Sequence, residues 1–133
     1  MTRGVFLLAV IASAAVQAAA SPAAQRPASL RADIAEWSIV PSAGVVDSGL
    51  VRITARNVGV DAHQLMVVRT AGFAEDLRLA GDRAVAIPVA RPVVVGPGKT
   101  ATVLVELKPG NYLLVDNLPW HYWHGTVAAF AVR

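Results

Sequence analysis

The 133-residue chain contains no cysteine. Disulfides are therefore excluded, and stability has to come from burial and strand pairing even in an oxidising compartment. The same absence removes thiolate nucleophiles, thiol redox couples, iron–sulfur ligation and every cysteine-containing zinc site. Charge of one sign is also scarce: the formal net charge is +3, and one of the basic residues, Arg3, falls in an apolar N-terminal stretch. The remaining arginines are spread from Arg26 to Arg133, and no basic stripe alternates with aromatics, so nucleic acid is not expected as a partner. Aromatics make up only 6% of the chain, which makes the grouping of Trp120, Tyr122 and Trp123 in one short stretch informative.

Long apolar runs are missing as well. The one extended apolar segment, Gly4 to Val16, falls short of the roughly 20 residues that span a bilayer. It follows a short basic start, Met1 to Arg3, and precedes a small-x-small pattern, Val16-Gln17-Ala18. This is the layout of a secretory signal removed after Ala18 or Ala20 rather than of a retained anchor. The expected organisation is a signal peptide at 1–20, a disordered lead-in at 21–30 with two prolines and no periodicity, and a single domain at 31–133, periplasmic or secreted, with no membrane span after cleavage. A little over a hundred residues suffice for one core and no more.

From residue 31 onward, short runs rich in Val, Ile and Leu alternate with Gly, Pro and Asn punctuation, the spacing of an all-β sandwich or barrel. Strands are expected at 33–40, ended by Pro41, and at 50–57, where Val51, Ile53 and Ala55 oppose Arg52, Thr54 and Arg56. Residues 64–70 are apolar in the middle, as for a strand covered on both sides. The 71–82 stretch reads as a short helical or irregular excursion. Residues 84–95 are extended but interrupted by Pro88 and Pro92, which suits an edge. Further strands are expected at 100–107, 111–115 and 126–133, the last after a loop at 116–125. Trp37 and Tyr112 are expected in the core.

Catalysis finds little support. There is no nucleophile elbow with a Ser-His-Asp order, no phosphate-binding glycine loop and no suitably spaced carboxylate pair. The expected class is therefore not an enzyme.

Two stretches carry a family likeness: Asn57-Val-Gly-Val-Asp-Ala-His63-Gln-Leu-Met-Val-Val-Arg-Thr70 and Pro109-Gly-Asn-Tyr-Leu-Leu-Val-Asp116-Asn-Leu-Pro-Trp-His121-Tyr-Trp-His-Gly125-Thr126. They resemble the two ligand-bearing segments of the small secreted plastocyanin-like cupredoxins, and the likeness runs from about Glu36 to the C-terminus. The resemblance implies a Greek-key β-sandwich of about seven to eight strands. It puts His63 and His121 on the family's two histidine ligands, Asp116 where the family has its cysteine, Thr126 where it has its axial methionine, and Trp120 in place of a glycine.

A blue-copper site needs the copper–thiolate bond, and a carboxylate cannot supply it. What remains is a two-histidine, one-carboxylate set, His63, Asp116 and His121, with His124 as a fourth nitrogen if the loop makes a helical turn. Such donors suit divalent copper, which leads on intrinsic affinity, or zinc. The expected role is metal handling rather than electron transfer. The alternative is a metal-free scaffold in which Asp116 merely accepts hydrogen bonds from the histidines, and in which Trp120, Tyr122 and Trp123 bind a periplasmic protein or a small molecule. Met66, on the opposite strand face from His63, reads as packing.

Overall fold

The computed structural model describes residues 15–20, 24–72 and 76–133. Residues 1–14, the body of the expected signal, lie outside the described residues, as do 21–23 of the lead-in and 73–75 of the expected excursion. The described chain forms eleven strands: β1 (Ala28–Ala35), β2 (Ser38–Pro41), β3 (Val45–Val46), β4 (Gly49–Asn57), β5 (His63–Thr70), β6 (Leu79–Ala80), β7 (Arg83–Ala84), β8 (Val93–Val95), β9 (Thr100–Leu107), β10 (Gly110–Val115) and β11 (Val127–Val132). None of the described residues lies in an α-helix.

The strands build a sandwich of two sheets, in the orders β2-β1-β4-β9 and β3-β11-β10-β5-β8, with β6–β7 as a separate small hairpin. Three differences from the expected strands have local causes. Two-residue strands such as β3, β6 and β7 are too short to leave a periodic trace, which accounts for much of the excess over seven or eight. The expected first strand is broken in two: β1 and β2 pair antiparallel with Ala35 opposite Ser38, so Glu36 and Trp37 form a two-residue turn. β1 also begins at Ala28, so the last three residues of the expected lead-in are part of the sheet.

Strand alternation aims one face of each sheet inward. Leu30, Ile34, Val51 and Ile53 from one sheet meet Leu65, Val67, Leu114 and Phe130 from the other in the main core. Burying each such side chain fully contributes about 1.5–3 kcal/mol. The other faces of β5 and β10 carry a second cluster, Met66, Val68, Leu113 and Val115, closed by Ala84 and Tyr122 with Leu77 and Leu79 packed against it. This cover explains why residues 65–68 are buried on both sides, and it places Met66 in packing. Tyr112 lies in the main core and stacks on Phe130.

Period-two geometry then positions the ends of two strands. His63 continues the inward series of Leu65 and Val67 on β5, and Asp116 continues that of Tyr112 and Leu114 just past β10. Because β5 and β10 pair antiparallel with Val115 opposite Met66, both polar residues arrive at the same end of the core.

Candidate metal centre

His63 and Asp116 are fully buried, an arrangement that costs several kcal/mol unless each polar atom is paired. Both are paired. His63 Nδ1–H donates to Asp116 Oδ2 at 2.7 Å, and His121 Nδ1–H donates to the same oxygen at 2.6 Å. Asp116 Oδ1 accepts the N–H of Leu118 at 3.1 Å. The two imidazoles stand edge to face, with centroids 5.2 Å apart.

The loop from Asp116 to Thr126 is folded by its own backbone. His121 N–H bonds Leu118 O, His124 N–H bonds Trp120 O, and Thr126 N–H bonds His121 O, while Asp116 N–H bonds Thr126 O. These turns bring His121 back over Asp116, with its side chain only 17% exposed. On the other side, buried Asn57 ties the site together: its Nδ2 donates to Asp61 O at 2.7 Å and to Val95 O at 2.8 Å, and Val95 is the β8 partner of His63.

Two residues that sequence reasoning did not assign to the site, Glu36 and Trp37, complete the surroundings. Glu36 Oε1 accepts the backbone N–H of Val60 (2.8 Å) and of Asp61 (2.9 Å) and faces His63 Nε2 at 3.3 Å. These donors hold its carboxyl at about 2, below the ordinary 4.5. Asp61's N–H is the largest cause, followed by Glu36's own backbone; burial pushes the other way, and Val60 and the His63 ring add smaller downward contributions. Trp37 lies edge-on to His121, with centroids 5.7 Å apart, and tilts against His124 at 4.2 Å. It is 50% exposed rather than in the core, because the turn after β1 swings it out. No Gly, Pro, Asn or Asp marks that turn, so its sequence carries no turn signal.

Among the described residues, His63, Asp116 and His121 form a group whose donor atoms lie within 4.8 Å of one another. They are therefore close enough to bind a metal ion. His124 does not join them. The helical turn it needs is present, but its ring leans on Trp37 and the residue is exposed. The aromatic loop also divides. Trp120 and Trp123 are 53% and 62% exposed, whereas Tyr122 is buried at 7%. Its hydroxyl accepts the Leu77 N–H at 3.1 Å, so Tyr122 closes the second core instead of facing a partner. Trp37 and Trp120 are the two non-glycine residues with positive φ among those described, at 64° and 67°. For a bulky side chain this costs on the order of 1–3 kcal/mol, and such strain gathers at functional sites.

The donor chemistry decides which ion suits the pocket. Two imidazole nitrogens and a carboxylate oxygen fit a divalent ion, and with no sulfur donor they do not fit a blue-copper centre. A further sign of fit comes from Thr126. It is fully buried, and its Oγ1 has no hydrogen-bond partner, although its backbone bonds both Asp116 and His121. An orphaned buried oxygen of this kind calls for a water or an ion.

No family model matches the chain, and no curated protein matches it. Solved structures do. Reduced auracyanin from Roseiflexus castenholzii is 18% identical, with a TM-score of 0.58 over 79% of this chain and 96% of that one. Rusticyanin from Thiobacillus ferrooxidans is 16% identical, with a TM-score of 0.57 over 79% and 77%. The Cu-containing nitrite reductase of Thermus scotoductus is 16% identical, with a TM-score of 0.53 over 79% of this chain and 30% of that larger one. At such identities the likeness concerns the fold. Sheet order and these matches agree: the chain is a cupredoxin-like β-sandwich, and one end of its core holds a His–Asp–His set with no cysteine.

Proposed function

We propose that the protein is an exported cupredoxin-like domain that binds a divalent ion, copper(II) ahead of zinc, through His63, Asp116 and His121, and that it serves in metal handling rather than electron transfer. The observation that carries this reading is the convergence of two imidazoles on one buried carboxylate oxygen, at 2.7 and 2.6 Å. A bound ion would supply a tightly held dication. The chain's own groups would supply the hard donors that favour the divalent over the monovalent state of copper. Buried Asp116 would offset part of the charge, and Trp37 would limit access of water from the side of His121.

Calorimetric titration of the metal-free protein with Cu(II) and Zn(II) tests the proposal. Micromolar or tighter binding is expected. Nothing tighter than about millimolar, roughly −4 kcal/mol, would remove the idea. Export is tested separately by the N-terminus of protein recovered outside the cytoplasm, which is expected at Ala19 or Ser21.

A second reading is favoured by the completeness of the polar network. Asp116 already accepts three N–H donors, so the pocket can persist closed and metal-free, with exposed Trp120 and Trp123 as the contact surface for a partner. Silent titrations with both ions would select this reading.

A further inference from the structure

Glu36 reaches the centre from the turn between β1 and β2, and one of its oxygens does three things at once. Oε1 accepts two backbone N–H groups of the 57–61 turn and faces Nε2 of His63, the nitrogen pointing away from Asp116. The approach depends on β1 and β4 running parallel with Ile34 opposite Asn57, which brings the residues following each strand side by side. It also depends on Gly59. A Cβ at that position would fall on the Glu36 carboxylate, so the turn carries glycine to admit a neighbour, and its φ is not positive.

We infer that Glu36 is a positioning residue for the centre, holding the His63 ring with Nε2 protonated and Nδ1 turned toward Asp116 and His121. The inference rests on the metal reading above and extends it to the group behind the first histidine. A carboxylate only accepts, so the imidazole nitrogen that faces it must carry the proton. With Nε2–H held by Glu36, the proton on Nδ1 that Asp116 accepts in the metal-free protein is the one an ion would displace, which would leave the Nδ1 lone pair directed at the pocket. A carboxylate behind a ligating histidine also raises the basicity of that ligand and fixes its plane. His63 is fully buried, so no bulk water competes for Nε2. Glu36 further adds negative charge beside a site that would hold a dication.

The competing view is that Glu36 only straps the 57–61 turn in place. Three variants separate the two. Glu36→Gln keeps an oxygen for the two amides but loses the charge, Glu36→Ala loses both, and Gly59→Ala leaves Glu36 intact but displaces its carboxylate. Two readouts apply: Zn(II) titration, and the imidazole N–H protons of His63 in nuclear magnetic resonance spectra of metal-free protein.

In the wild type, a protected Nε2–H is expected, with cross-relaxation to the amides of Val60 and Asp61. It should persist in Glu36→Gln and vanish in Glu36→Ala. Zinc affinity should fall about 10-fold in Glu36→Gln and toward 100-fold in Glu36→Ala and Gly59→Ala, the usual range for a group behind a ligand. Absence of that proton in the wild type would overturn the inference, and so would zinc affinity unchanged in all folded variants. Should Glu36→Ala fail to fold, Glu36→Gln and Gly59→Ala decide by the same criteria. Wild-type protein that takes up no zinc yet shows the Glu36-dependent proton sinks the metal reading and upholds the placement of the ring.

Discussion

Asp116 presents an oxygen that two imidazole N–H groups reach at 2.6 and 2.7 Å, and no neutral side chain of the same shape can serve both donors and Leu118 as well. An amide offers one acceptor oxygen and turns an NH2 group toward a donor. Asp116→Asn is therefore expected to leave at least one buried N–H unpaired, costing about 1–3 kcal/mol, as read from denaturant unfolding of metal-free protein. It should also weaken divalent-ion binding by more than the roughly 100-fold reached by groups that only support a ligand. The reverse experiment restores sulfur. Asp116→Cys combined with Thr126→Met should give an intense visible band on adding Cu(II), because the copper–thiolate bond supplies the colour. A colourless product would mean that the ligand end has drifted too far for those two positions to act as the family's sulfur sites.

Elements, rather than single residues, decide how Glu36 and Trp37 come to the site. The sequence reads 33–40 as one strand because Glu-Trp lacks turn chemistry, yet the chain reverses there with Trp37 at a φ of 64°. Strands with a clear pattern were legible: β4 alternates, β9 alternates, and the double burial of β5 shows as an unbroken apolar run. The residues on β5 and after β10 that face each other, His63 and Asp116, were legible through the resemblance to the cupredoxin ligand segments, and in the structure each follows its strand's inward series. Glu36 was not, since its contact with His63 depends on a parallel β1–β4 pairing that no local pattern encodes. Nor was the burial of Tyr122, whose cover comes from residues 77–84. The Glu36 strap has a pH signature. Its carboxyl sits at about 2 in the folded protein against an ordinary 4.5, so the folded state binds fewer protons than the unfolded one between those values. Stability from this group is present above about pH 4.5 and is lost as pH falls toward 2. Urea midpoints of Glu36→Gln should accordingly fall less steeply than those of the wild type from pH 5 to pH 2.

On the scale of the whole molecule, β1 pairs with β4, β4 with β9, and β10 with both β5 and β11, so few contacts form between close neighbours in sequence. Sandwiches tied together in this way fold in milliseconds to seconds rather than microseconds. Stopped-flow refolding followed by tryptophan fluorescence is expected in that range, with the emission of Trp37 reporting late closure because its packing on His121 joins distant parts of the chain. The groups that would grip an ion are drawn from residues 63, 116 and 121, with Glu36 behind them, so the full set of three donors needs β5 and the loop after β10 to meet. Under the metal reading, tight loading with all three donors waits for the tertiary structure that joins them. The ion taken up is then chosen by the inventory of the place where the polypeptide completes its folding, not by that of the place where it was made.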